Sequence, residues 1–172
     1  MRDKFLEGMS KAATSVTVVT TDGVAGKAGV TVSAMCSVSA DPPALLICVH
    51  HMSPAAEIIE KNGVFCVNLL SAEQSDISDT FAGRMKTADG DKFSCAVWAL
   101  NATGTPRLEG ALAAFDCHVA DVRRFGSHVI LTGEVSGIAQ EDGLPLIYGQ
   151  RSYGAPALWS GAEPAAHTVA GA

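Results

Sequence analysis

GVTVSAMCSVS, residues 29–39, alternates as a β-strand does, with Val30, Val32, Ala34, Cys36 and Val38 on one face. Thr31, Ser33, Met35, Ser37 and Ser39 form the other, and nothing charged stands between Lys27 and Asp41. A strand face turned to water usually bears Lys, Glu or Arg. This strip of hydroxyls therefore faces either a polar, partly solvated sheet surface or a ligand, and the stretch alone does not choose between them.

The flanking sequence frames that strand. FLEGMSKAA puts Phe5, Leu6, Met9, Ala12 and Ala13 at helical spacing, and TSVTVVTT is a β-branched strand. Asp41-Pro42-Pro43 halts the opening stretch, ALLICVH is a short apolar strand, and SPAAEIIEKNG is a short helix with Ser53 as N-cap, Pro54 at its first position and Gly63 closing it. VFCVNLL is a further strand. SAEQSDISDTFAG reads as a helix with Ser71 and Glu73 or Gln74 at its start and Gly83 at its end, and RMKTADGDKFS as a polar loop. Two long alternating strands, ALAAFDCHVADV and SHVILTGEVSGI, follow. Six or seven strands with two or three short helices point to a mainly β protein, a closed or nearly closed antiparallel barrel. No βαβ rhythm and no repeat is visible.

Composition narrows the function. The chain has 172 residues, 48% apolar and 17% charged, with a mean hydropathy of +0.23, enough for one buried core. A net charge of −6 with only 12 Lys and Arg argues against a nucleic-acid partner. A single phosphate remains acceptable, because backbone N–H groups and hydroxyls can hold it. Five cysteines without C-x-x-C spacing read as reduced core residues and a cytoplasmic location. No apolar run suggests a signal peptide or a membrane span. One domain over 1–155 and a frayed tail over 156–172 are expected.

The usual catalytic signatures are absent: no G-x-G-x-x-G after a strand, no Walker A loop, no G-x-S-x-G and no H-E-x-x-H. His50 and His51 are adjacent and on a strand would point to opposite faces, so no metal site is expected. Small polar groups and glycines do gather at element ends. Ser53 at a helix start is either a plain N-cap or an anion ligand beside free N–H groups. His128, after Gly126-Ser127, is either a surface histidine at a turn or a site residue. Arg151, between Tyr148 and Tyr153, is equally a structural ion-pair partner.

In order, FLEGMSKAATSVTVVTTDG, AGVTVSAMCSVSADPPALLICV, NGVFCVNLLSAEQ, FAG, LEGALAAFDCHV, GSHVILTGEV and PLIYGQRSY resemble the short-chain flavin reductase family, the reductase partners of two-component flavin monooxygenases. The resemblance runs from about residue 5 to residue 155. It implies a homodimeric antiparallel Greek-key split β-barrel of the FMN-binding type, which reduces FMN or FAD with NADH or NADPH and supplies an oxygenase component. It also answers the hydroxyl strip, because a charged side chain beside a neutral flavin ring would be desolvated at a cost of several kcal/mol.

By the same resemblance, Ala28, Gly29, Val30, Thr31, Ser33 and Ala34 form the flavin-contacting strand, and Cys48, Val49 and His50 the next strand's flavin edge. Ser53 is the phosphate-side serine, and Phe81, Ala82 and Gly83 the loop closing over the phosphate end. His128 stands near the reacting ring, and Tyr148, Gly149, Gln150, Arg151 and Tyr153 belong to the nicotinamide segment. His50 replaces the Asn of several relatives, and YGQRSYG departs from the usual pattern, so the choice of dinucleotide stays open. Hydride transfer from nicotinamide to flavin needs no protein nucleophile or base, which agrees with the missing dyad. The alternatives are a non-catalytic FMN-binding barrel, or a reductase with tightly held FMN acting on another acceptor such as cobalamin.

Overall fold

The computed structural model describes residues 1–157. The chain opens with α1 (Arg2–Ser10), β1 (Thr14–Ser15), β2 (Thr17–Thr21), β3 (Ala28–Val32), β4 (Met35–Ala40) and β5 (Pro43–His50). It continues through α2 (Pro54–Asn62), β6 (Val64–Leu69), α3 (Ser75–Phe81) and a 3₁₀ turn over Lys92–Cys95. It ends with β7 (Trp98–Leu100), β8 (Pro106–Leu108), β9 (Ala113–Phe125), β10 (His128–Gln140), β11 (Ile147–Gly149) and β12 (Ser152–Gly154). The expected tail lies, from residue 158 onward, outside the described residues.

Seven strands form one antiparallel sheet in the order β3-β2-β6-β9-β10-β5-β4. β3 and β4 are consecutive in the chain, yet they occupy its two outer edges. Only Ser33 and Ala34 separate them, and Cys48 N–H donates to Ala34 O at 3.0 Å. The sheet is therefore curled into a barrel whose edges are joined by the chain itself, the expected mainly β split-barrel architecture. Inside it lie Val19, Val32, Ile47, Val49, Phe65, Val67 and Leu131.

The stretch GVTVSAMCSVS is thus two strands. β3 pairs with β2, β4 pairs with β5, and the chain turns between them. Cys36, read as a core residue, is exposed, and so is Val38 on the same face, because β4 has left the alternation that holds through Val32 and carries a bulge between Ser37 and Ser39. The hydroxyls do not share one surface either. Thr31 Oγ1 donates to Ser78 O at 2.7 Å, whereas Ser37 and Ser39 belong to the far edge.

All five residues of β2 are buried, because the strand lies between β3 and β6 and is covered on both faces. Val19 joins the barrel core. Val18 faces a second cluster with Val16, Leu70, Phe81, Leu108 and Leu146. Burying three threonines here is inexpensive, since their hydroxyls donate to carbonyls: Thr17 to Val32 at 2.8 Å, Thr21 to Val64 at 2.6 Å and Thr20 to Pro106.

The helices follow their caps with local differences. α2 begins after Ser53 and ends at Gly63, whose φ of 69° is the left-handed conformation that glycine supplies best. α3 starts at Ser75, four residues later than Ser71, although Gln74 Oε1 accepts the Ser71 N–H at 3.0 Å as the capping pattern anticipates. α1 stops at Ser10, and its apolar residues Phe5, Leu6 and Met9 are exposed. The loop expected over 84–94 contains the start of the 3₁₀ turn, capped by Asp91 Oδ1 accepting Phe93 N–H at 3.0 Å. His50 and His51 do not diverge. His51 lies in the turn after β5, and their rings stack at 5.0 Å.

Candidate functional site

The largest convergence of predicted residues is a cleft of about 650 Å³ over β3, the start of α2 and the end of α3. Ala28, Gly29, Val30 and Thr31 form one wall, Ser53, Pro54, Ala55 and Ile58 a second, and Phe81 with Ala82 a third. The segment from Gly90 to Phe93 closes the remaining side.

Gly29 is required by packing. A Cβ there would lie 2.4 Å from Phe81 Cε1, and Phe81 is itself held edge-to-face by Phe93 at 5.1 Å and Trp98 at 5.5 Å. Ser53 has extended backbone and its side chain makes no capping bond, so its hydroxyl remains available to an anion beside the Ala55 N–H; Pro54 has no N–H, and Ala56 N–H is taken by Ser53 O at 3.1 Å. Two lysines add positive charge. Lys27 Nζ sits 4.4 Å from the centre of the Phe93 ring and 3.8 Å from Asp91 Oδ2, and Lys92 Nζ donates to Phe81 O at 3.2 Å. An apolar wall beside an uncommitted helix start and two ammonium groups suits a flat ring carrying a phosphate, which is the fit FMN demands.

A second cavity of about 140 Å³ adjoins this cleft across Thr31 and Ala82. Ser33, Tyr148, Tyr153, Ser78 and Arg84 line it. Tyr148 and Tyr153 meet edge-to-face at 5.4 Å. Tyr153 Oη donates to Asp79 Oδ1 at 2.8 Å, and Ser78 Oγ donates to Tyr153 Oη at 2.8 Å. Burial pushes the Tyr153 hydroxyl up, which keeps its proton in place for Asp79.

Other predicted residues stand elsewhere. Val49 belongs to the barrel core at 1% exposure, and its register opposite Val129 points its side chain inward. Cys48 points to the other face of β5, and Ala34 carries the barrel closure. Gly83 has φ 77° and ends α3 in a Schellman turn, with Gly83 N–H on Thr80 O at 3.1 Å and Arg84 N–H on Asp79 O at 2.8 Å. Gln150 and Arg151 face a separate groove beside Asp3 and Glu7 of α1 and Lys11 just after it, and Gly149 packs on Ala13. His128 pairs with His50 across β10 and β5, their rings 5.2 Å apart, and lines neither cavity. The two histidines reach the cleft's edge only through the turn in which Ser53 N–H donates to His50 O at 2.8 Å.

Sequence reasoning missed Lys27, Ile58, Lys92, Phe93 and Arg84. The cleft lining holds no His or Cys, and its carboxylate, Asp91, is engaged by Lys27 and Phe93 N–H. Nucleophilic or acid–base catalysis by the cleft alone has no residues to perform it, so the chemistry falls to a bound group.

The flavin reductase like domain model matches residues 9–157. The chain is 43% identical over 157 residues to the FMN reductase (NADH) RutF of Ancylobacter novellus, covering 91% of this chain and 86% of that protein. The chain belongs to the flavin reductase-like family. Solved structures agree. A homologue of nitrilotriacetate monooxygenase component B from Mycobacterium thermoresistibile superposes with a TM-score of 0.81 at 30% identity, over 92% of each chain. BorF, the flavin reductase component of a bacterial two-component tryptophan halogenase, superposes with a TM-score of 0.80 at 32% identity, over 89% of this chain and 97% of that one.

Proposed function

We propose that this chain is an NADH-dependent flavin reductase that takes FMN in the cleft beside Ser53 and delivers reduced flavin to the oxygenase component of a two-component system. The observation that carries the reading is the uncommitted Ser53 hydroxyl at the start of α2, facing the same cleft as the side-chain-free Gly29. FMN and NADH are named for the Ancylobacter novellus relative, and oxygenase or halogenase systems for the two structural neighbours.

Bound flavin supplies the hydride-accepting ring. The chain's own residues bind and orient. Ser53 and the Ala55 N–H hold the phosphate, Lys27 and Lys92 balance its charge, and Ala28 to Thr31 back the ring. Phe81 and Ala82 bound the cleft on the side of the second cavity, where Tyr148 and Tyr153 receive the nicotinamide end of the donor. His128, with His50 beside it, stands outside both cavities behind the Ser53 turn and would meet the donor where it extends past the cleft's edge. Excluding water from this pocket strengthens the phosphate contacts and protects the hydride.

The chain works as a homodimer in the cytoplasm. Exposed Phe5 and Met9 on α1, and Phe125 and Ile138 on the β9–β10 hairpin, support burial against a second copy. Five free cysteines support a reducing compartment, and among the described residues no helix is long and apolar enough to cross a membrane. Anaerobic mixing of the chain with NADH and a molar excess of free FMN tests the function. Bleaching of flavin over many turnovers is expected, whereas a flavin spectrum that appears without bleaching would refute it in favour of a binding protein. Sedimentation at micromolar concentration checks the dimer.

A further inference from the structure

Arg84 is the charged residue of the Tyr148–Tyr153 cavity, and none of the fold's needs requires a guanidinium there. Its backbone is fixed by the Schellman turn at Gly83, so its side chain starts from a defined point at the cavity mouth. The guanidinium carbon lies 5.8 Å from the Tyr148 ring centre and 5.6 Å from that of Tyr153, and Arg84 Nη1 is 3.3 Å from Asp79 Oδ1.

This pair is built to open. The Arg84 side chain is 53% exposed, and an exposed ion pair of that kind contributes little. Asp79 keeps a partner when the guanidinium leaves, because Tyr153 Oη donates to the same carboxylate oxygen at 2.8 Å. The two tyrosine rings lie beside the guanidinium at the cavity, and the structure shows it paired with Asp79 through Nη1. An anion that comes with a ring in this cavity meets Arg84 first. A flavin phosphate, in contrast, already has Ser53, Lys27 and Lys92 on the other side of Thr31.

We propose that Arg84 is the residue that captures the phosphate groups of the dinucleotide hydride donor, exchanging Asp79 for the donor's pyrophosphate. This rests on the flavin reductase reading above. A guanidinium on a phosphate makes charge-assisted, bidentate bonds, so its loss is felt by substrates that carry the phosphate and not by those that lack it.

The test compares the full-length wild type with Arg84→Gln and Asp79→Asn. NADH binding to the flavin-free chain is measured by calorimetry, and KM and kcat are measured with FMN present for NADH and for reduced nicotinamide riboside, which has no phosphate. Arg84→Gln is expected to weaken NADH binding and raise its KM about tenfold, with the riboside changing less than about twofold. Asp79→Asn frees the guanidinium and is expected to tighten NADH by about two- to fivefold. Opposite signs in the two variants support the proposal. A purely structural ion pair predicts the same sign in both, and that result overturns it. Weaker FMN binding with unchanged riboflavin and NADH in Arg84→Gln also overturns it, by assigning the guanidinium to the flavin phosphate. A wild type that turns over no NADH overturns the reductase reading itself, and is thereby distinct from a wild type that turns over while Arg84→Gln leaves KM unmoved, which overturns this inference alone.

Discussion

Replacing Gly29 by alanine puts one methyl group into the wall of the cleft, and the geometry fixes what it meets. The added carbon would stand 2.4 Å from Phe81 Cε1 and 2.8 Å from Cδ1. Carbon atoms pack at about 3.5–4.0 Å, so the ring must withdraw by about 1 Å. Phe81 is 1% exposed and gripped by Phe93 and Trp98, which closes the inward routes and leaves the 650 Å³ cleft as the free space. Overpacking of this kind costs about 1–3 kcal/mol. Because a bound ring must push Phe81 back, that strain is met again on binding, and affinity should fall by about 5- to 150-fold. Fluorescence titration should show FMN and riboflavin weakened equally, since the obstruction is on the ring side. Gly29→Ala combined with Phe81→Leu should recover part of the loss. A folded Gly29→Ala protein with unchanged affinity for both flavins would refute the placement of the ring against β3.

Ser53→Ala should weaken FMN by about 1–2 kcal/mol and leave riboflavin and the melting temperature nearly unchanged, because the hydroxyl makes no capping bond that its loss could break; equal losses for both flavins in a titration would count against the phosphate role. His128→Ala should slow flavin reduction in stopped flow by about 10- to 100-fold, with little change in a thermal melt of this exposed side chain. Asn68→Leu should lower stability in urea by about 2–4 kcal/mol, since Asn68 is fully buried, accepts Leu108 N–H at 2.8 Å and donates to Val18 O at 3.0 Å, and leucine would orphan both groups. Burial pushes the Cys117 thiol up to about 12 and the Cys66 thiol higher still. The unfolded chain therefore releases these protons first, near the ordinary value of 9.0, and stability should be intact below pH 9 and fall as pH rises from there toward 12. Melts across that range, and thiol labelling that reaches exposed Cys36 in the folded state but Cys66 and Cys117 only in denaturant, check this.

Much of the barrel could be read directly because its signals are local. Alternation in β5 places Leu45, Ile47 and Val49 inside, and Gly63 stops α2 where a left-handed residue is needed. The stretch over 29–39 misled because alternation reports the pleat and not the partner. Nothing in GVTVSAMCSVS says that Val32 pairs with Thr17 while Met35 pairs with Ile47, and only barrel closure requires the break at Ser33 and Ala34. The buried polar anchors were silent for a related reason. Asn68 inside VFCVNLL looks like an interruption of a strand, yet it bridges β2 and β8, whose backbone groups lie 50 and 40 residues away.

The site divides along the same line. Of the residues that face the cleft from β3, α2 and α3, Ser53 stands out by its position before Pro54, whereas Ala28 to Thr31, Phe81 and Ala82 are reached through the family resemblance. Lys27, Lys92 and Arg84 could not be found, because a lysine or arginine in a polar segment is ordinary until the fold brings it beside a cavity. Their effect also inverts what net charge suggests. The chain carries −6 overall, which keeps polyanions away, whereas three cations are gathered at the two adjoining cavities. Screening limits the repulsion from distant carboxylates to about one Debye length, roughly 8 Å in physiological salt, so the local cations govern a ligand already inside the cleft. An acidic protein with basic pockets selects small phosphate esters over nucleic acid by this arrangement. Raising salt should then weaken FMN and leave riboflavin nearly unchanged, because Lys27 and Lys92 are exposed and their attraction for a phosphate is screened, whereas riboflavin carries no phosphate for them to hold.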